Sequence, residues 1–176
     1  MNDATGGPGR PERSEANEYM FGYIDQVGPG DIRQLLVDQA GEAAALFATV
    51  SEEASLRRYE PGKWSMRESL GHVTDTERVF VYRALWFARS LDAALPGFDQ
   101  NEAAATAPGD ALPWSAHVAE FAAVRAGSTA LFRNMPEAAW LREGEASGRR
   151  FTVRAMAYIT AGHTAHHLRL FRERYL

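Results

Sequence analysis

The chain of 176 residues contains no cysteine. That excludes a disulfide framework and a cysteine nucleophile, and it leaves any bound metal to histidine, carboxylate or water. There is no basic block either. The formal net charge is -4, whereas phosphate-backbone binding needs clustered Lys and Arg, so no nucleic-acid partner is expected. No apolar run approaches the roughly 20 residues of a membrane span, and the N-terminal stretch lacks a signal peptide's apolar core. A cytoplasmic location, with no membrane partner, is the default expectation. Convincing strand alternation and internal repeats are absent too. What is there is ordinary: 45% hydrophobic and 24% charged residues, the balance of a globular protein with one sizeable core.

In chain order, residues 1–17 are rich in Gly, Pro, Ser and charge and read as a disordered tail. Residues 18–176 read as a single domain. Tyr19, Phe21 and Tyr23 alternate between Glu18 and Val27, which suggests an extended arm lying on the body. Asp31 is a cap candidate for a first helix over roughly Ile32 to Glu53, with Leu35, Leu36, Leu46, Phe47 and Val50 at helical spacing. Ser65 and Glu68 fit a capping box that opens a second helix, running to about Arg89. A long connection follows, Ser90 to Leu112, which lets two successive helices run in the same direction. Pro113 can start a third helix to about Asn134. After a Gly-containing linker that allows a small hairpin, Thr152 caps a fourth helix reaching nearly to Leu176. Four long amphipathic helices predict an all-α four-helix bundle.

The most informative stretch is Gly162-His163-Thr164-Ala165-His166-His167. On a helix His163 and His167 point about 40° apart, while His166 faces about 60° the other way from His163. Two imidazoles four residues apart can hold a divalent ion jointly. They share their face with Met156, Ile159 and Leu170, where ring nitrogens are costly unless partnered. The same spacing also suits core-edge or surface histidines on a basic C-terminal helix. A metal reading needs a third ligand from elsewhere, and His72 on the second helix is one that a bundle could bring to the pair.

His72 lies off the apolar stripe of its helix (Met66, Leu70, Val73, Phe80, Ala84, Phe87), on a mixed face with Ser65, Ser69, Thr76, Val79 and Arg83. That face suits a cleft wall. Glu77 falls inside the stripe, so it is expected to be buried with a cation or backbone donor, Arg125 or Arg83 being the candidates. For Arg125 the alternative, slightly preferred on sequence, is that its stem carries the charge outward along the surface.

Lys63-Trp64-Ser65, the run from Gly71 to Arg78, Tyr82-Arg83-Ala84, the run from Leu95 to Gln100, and Ala161-Gly162-His163 with His166-His167 together resemble the DinB-like superfamily, which includes YfiT-type metal-dependent hydrolases. The resemblance covers about Tyr23 to Leu176. It implies a four-helix bundle with one long crossover. It also implies a zinc or nickel ion on three histidines, which by position are His72, His163 and His167, and frequent homodimers. Some members transfer low-molecular-weight thiols to electrophiles. One departure is Thr164, where related sequences often carry an acidic residue.

A three-histidine site leaves a coordination position open, which is the catalytic pattern. With no cysteine in the chain, a cosubstrate's thiolate or a metal-bound water is the expected nucleophile. Asp75 and Asp99 are candidate catalytic bases or imidazole acceptors; each is equally well a solvated or turn carboxylate. Arg83, Trp86 and Phe98 are expected around a small-molecule substrate. The sequence therefore supports a thiol S-transferase or hydrolase. The alternative is a metal-containing binding or stress-response module without turnover, since no unmistakable nucleophile or base stands out. A deep open cleft favours the enzyme and a sealed metal favours the module.

Overall fold

The computed structural model describes residues 7–176. Its core is four long helices: α2 (Ile32–Phe47), α3 (Met66–Ala88), α5 (Trp114–Arg133) and α6 (Val153–Leu170). Two short helices, α1 (Glu18–Ile24) and α4 (Gln100–Thr106), lie outside them, and one hairpin, β1 (Glu143–Ala146) with β2 (Arg149–Thr152), precedes α6. The architecture is the expected all-α four-helix bundle.

Local sequence sets the ends of each helix. The Asp31 side chain caps α2 at the Arg33 amide. At the other end the Thr49 hydroxyl takes the Leu46 carbonyl, a local bond that competes with helix propagation. α2 therefore stops at Phe47, short of the expected Glu53. Ser65 and Glu68 form the capping box of α3, and the Thr152 side chain accepts the Ala155 amide at the start of α6. Beyond Leu170 the chain continues through one π-helical turn, Phe171–Tyr175.

Side-chain pairs fix the directions. Gln39 bonds Ala161 and Glu42 pairs with Arg172, so α2 and α6 run parallel. Ser69 meets His167 while Phe80 meets His163, so α3 and α6 are antiparallel. Glu77 pairs with Arg125, and Arg67 at the start of α3 bonds Leu112 just before α5, so α3 and α5 run the same way. The connection between them must therefore return along the bundle, and it carries α4 on the outside of α3.

The interior has three levels. One apolar cluster contains Ile32, Leu36, Phe80, Phe87, Phe132 and Met156. The other contains Phe47, Leu70, Val73, Trp114, Phe121 and Phe171. Between them every long helix contributes buried or part-buried polar groups: Gln39, Thr76 and Glu77, Arg125, and His163 with Thr164. Arg125 donates to both oxygens of Glu77, to Gln39 Oε1 at 2.7 Å and to Thr164 Oγ1 at 2.8 Å. Arg125 is 1% exposed, so its stem does not carry the charge outward. A partner on another helix outweighs the outward route that its own helix allowed.

The N-terminal region departs from expectation in two ways. Of the expected disordered tail, residues 1–6 lie outside the described residues, but 7–17 pack on the body. Pro8, Pro11 and Glu15 are buried. Glu15 accepts from Thr152 and Arg154, while Arg10 donates to the carbonyls of Ile24 and Val27. These partners lie far away in sequence, so composition alone concealed them. The expected extended arm is instead helix α1. Asn17 caps it by accepting the Met20 amide, and Phe21 and Ile24 form its buried edge; this three-residue spacing outweighs the two-residue alternation of the aromatics.

Candidate metal centre

α3 and α6 cross where their polar levels meet, and this brings His72, His163 and His167 together. One nitrogen from each lies within 4.8 Å of the others. His72 Nε2 and His163 Nε2 are 3.1 Å apart, close to the roughly 3.3 Å between two nitrogens of a tetrahedral site with bonds of about 2.0–2.1 Å. The outer nitrogens face hydroxyls: His72 Nδ1 lies 3.2 Å from Thr76 Oγ1, and His167 Nδ1 lies 3.3 Å from Ser69 Oγ. With the protons on Nδ1, both rings donate to these hydroxyls and direct their Nε2 lone pairs inward.

Aromatic rings close the sides. Trp64 lies over His72, and Tyr23 and Phe80 meet His163 edge-on. Burial, reinforced by neighbouring histidine charge, lowers the His72 pKa to about 4 and that of His163 to about 3. His167 is held well below the ordinary histidine range by burial first, then by His163. All three are neutral at neutral pH, the state a metal ligand needs. An all-imidazole set without a carboxylate suits borderline ions such as zinc and nickel, and does not suit magnesium or calcium. The donor set therefore fits a divalent ion of the kind that the family resemblance implies.

His166 stands outside the cluster, half-buried against Tyr23. What brings Tyr23 there is Gly162. A Cβ at position 162 would sit 2.1 Å from the Tyr23 carbonyl oxygen. Only glycine lets the backbones of α1 and α6 approach this closely.

A cavity of about 210 Å³ opens beside His163, walled by Tyr23, Thr76, Phe80, Arg83, Phe98 and Gln100, among others. A smaller one, about 70 Å³, adjoins His72, Asp75 and His117. Phe98 and Gln100 border both. Of the expected substrate contacts, Arg83 and Phe98 line the cavity beside His163. Trp86 does not line the cavity beside His163: its indole donates to the Ala93 carbonyl and anchors the connection after α3. Asp99 caps α4, accepting the amides of Asn101 and Glu102. Asp75 pairs with Arg78 at 2.9 Å and borders only the smaller cavity. The two carboxylates are therefore not brought to the open side of the cluster. The sequence reading missed Tyr23, Gln100 and Ser147 as cavity walls, and it read Ser69 and Thr76 only as part of a mixed face.

The DinB superfamily profile matches residues 35–171. The chain belongs to the DinB superfamily. Among solved structures it is similar to YfiT from Bacillus subtilis, described as a probable metal-dependent hydrolase with an unusual four-helix bundle topology. The likeness has a TM-score of 0.68 at 16% identity and covers 93% of this chain and 92% of that one. At that identity the likeness concerns the fold. No curated protein matches the sequence. The profile spans α3, the crossover and α6, and so includes all three clustered histidines of this DinB chain. None of the helices described is long and apolar enough to cross a membrane.

Proposed function

We propose that this DinB protein is a divalent-metal-dependent enzyme acting on small electrophiles, as a low-molecular-weight-thiol S-transferase or a hydrolase. The observation that carries this reading is the pairing of three neutral, converging imidazoles with a cavity open at His163. His72, His163 and His167 would hold the zinc or nickel ion. When bound, such an ion supplies a Lewis acid and lowers the pKa of a coordinated water or thiol.

The chain's own groups do the rest. Ser69 and Thr76 fix the tautomers of His167 and His72, so the lone pairs of these two rings face inward toward His163. Tyr23, Phe80 and Phe98 exclude bulk water from one side of the cavity. Gln100 and Arg83 offer donors to a bound molecule. No carboxylate among the described residues lines the cavity beside His163, so the nucleophile is activated at the cluster rather than by an adjacent carboxylate base. Asp75, which borders the smaller cavity with His72, is the carboxylate we assign to proton exchange with solvent. Asp99 acts indirectly, by ordering the helix that begins at Gln100. A homodimer belongs to the same reading, on the strength of the family resemblance.

The open cavity favours turnover over a sealed, non-catalytic module. The test is metal analysis of the purified protein, followed by assay of the metal-loaded protein with electrophiles in the presence of glutathione, bacillithiol or mycothiol, and with esters in their absence. Metal-dependent turnover in either arm supports the proposal and separates transferase from hydrolase. Stoichiometric metal without turnover in either arm favours the binding module. Sedimentation of the same sample reads the assembly state.

A further inference from the structure

The cavity beside His163 contains a cation that has no counterion among the described residues. Arg83 is 5% exposed, and among the described residues no carboxylate pairs with it. Its Nη2 donates to the Pro96 carbonyl and to Ser147 Oγ, both at 3.0 Å. Nε and Nη1 have no protein acceptor among the described residues, and neither is a sealed atom. Burial lowers its pKa, with no acidic neighbour to oppose the shift. Arginine nevertheless remains protonated in proteins. A buried, uncompensated charge is costly, and the two other buried arginines among the described residues, Arg67 and Arg125, pair with Glu52 and Glu77.

The surroundings have the same bias. Among the described residues, the groups that share the cavity with Arg83 are hydroxyls, an amide, an imidazole and apolar side chains, with no Asp or Glu. A second opening at Arg83, formed by Arg78, Val79, Tyr82 and the segment from Leu95 to Phe98, has none among the described residues either. A divalent ion on the histidines would add charge of the same sign. His72, Thr76, Val79 and Arg83 follow one another along a single face of α3. The Cα atoms of His72 and Arg83 are therefore about 16 Å apart along the axis, and a ligand touching both ends lies extended along the helix.

We propose that Arg83 is an anion-recognition residue and that the molecule taken by this cavity is a small organic carboxylate, its charged end at Arg83 and its reactive end toward His163. This deepens the reading of the cavity as a substrate site and rests on it, but the anion contact itself does not require the metal. Phe80, Val79 and Phe98 provide apolar walls for the body of the molecule, so an aromatic acid is a suitable probe.

The test compares benzoate, its neutral isostere benzamide, and phenyl phosphate, titrated by calorimetry into the full-length protein with and without added Zn²⁺. Benzoate is expected to bind at least about tenfold more tightly than benzamide in both states. Arg83→Gln is expected to abolish the preference, and Arg83→Lys, which keeps the charge without the fork, to retain part of it. Ligand-induced shifts in the wild-type melting temperature give the same comparison without any variant. Equal affinity for benzoate and benzamide in the wild type overturns the proposal, as does an Arg83→Gln protein that folds and keeps the preference. Tighter binding of phenyl phosphate than of benzoate overturns the assignment to carboxylates. If the anion preference holds while no metal binds, the cavity assignment stands and the metalloenzyme reading fails, so the two failures are distinguishable.

Discussion

Arg125 grips Glu77 through three hydrogen bonds of 2.7–3.1 Å at the centre of the bundle, and each side chain is 1% exposed. The pair sits between two apolar clusters, one turn from the histidines: Glu77 follows Thr76, which faces His72, and Thr164, which accepts from Arg125, follows His163. The ion pair therefore holds α3, α5 and α6 in the register that brings the histidines together.

Glu77→Ala strands the guanidinium in the core and is expected to cost about 3–5 kcal/mol of stability. Replacing both partners by apolar residues, as in Glu77→Leu with Arg125→Met, is expected to cost less than the single change, because no unpaired charge remains. Urea denaturation checks both. A loss below about 1 kcal/mol for Glu77→Ala would contradict the buried pair.

How much of this was legible in the sequence differs by element. Wheel phase alone put Glu77, His163 and His167 inside apolar stripes and His72 on a mixed face suited to a cleft wall, because each helix is long and strongly periodic. Phase says which way a side chain leaves its own helix. It says nothing about what stands opposite, so Arg125 was legible as a candidate partner but was assigned outward. Asp75 and Asp99 have chemistry-bearing side chains, yet an adjacent Arg78 and the start of α4 claim them. Helix α1 was hidden by its length: seven residues of alternating aromatics match a strand as well as a helix until the Asn17 cap is weighed.

Gly162 offers a test of the α1–α6 approach with an unusual sign. In a helix interior Gly→Ala normally stabilises by about 1 kcal/mol. Here the new methyl meets the Tyr23 carbonyl, and overpacking of this kind costs about 1–3 kcal/mol. Gly162→Ala is expected to lower the melting temperature and to raise hydrogen exchange of the α1 amides selectively. A stabilised variant with α1 still protected would show that the backbones are not in close contact.

The packed N-terminal segment predicts an acid-side weakness. Burial pushes the Glu15 carboxyl up, but hydrogen bonds from Arg154 and Thr152 outweigh it and leave the pKa below the ordinary range. A carboxylate lowered in the folded state contributes stability that is full above the unfolded value and is lost as pH falls through the folded one. Melting temperature should therefore fall below about pH 4.3, and Glu15→Gln should shrink the fall in that window. Asp31 and Glu68 are also lowered, so the informative quantity is the difference between wild type and variant. An identical acid dependence would mean that Glu15 is free of Arg154 in solution.

The ligand set itself makes the sharpest prediction, because His166 and His167 are neighbours with opposite expected roles. His167 is 8% exposed and faces His72 and His163, whereas His166 meets Tyr23 and lies outside the cluster. Purified protein loaded with zinc and dialysed is expected to retain stoichiometric metal, read by elemental analysis. His72→Ala and His167→Ala should lose it, with circular dichroism showing the helices intact, since the apolar stripes of α3 and α6 survive either change. His166→Ala should keep it. Ser69→Ala and Thr76→Ala should bind zinc about 10–100-fold more weakly, as removal of a ligand's outer hydrogen-bond partner does. If the His166 variant loses metal and the His167 variant keeps it, the assignment within α6 must be exchanged. If all the variants load as the wild type does, the converging imidazoles are a hydrogen-bonded polar layer of the core and the enzyme reading loses its chemical basis.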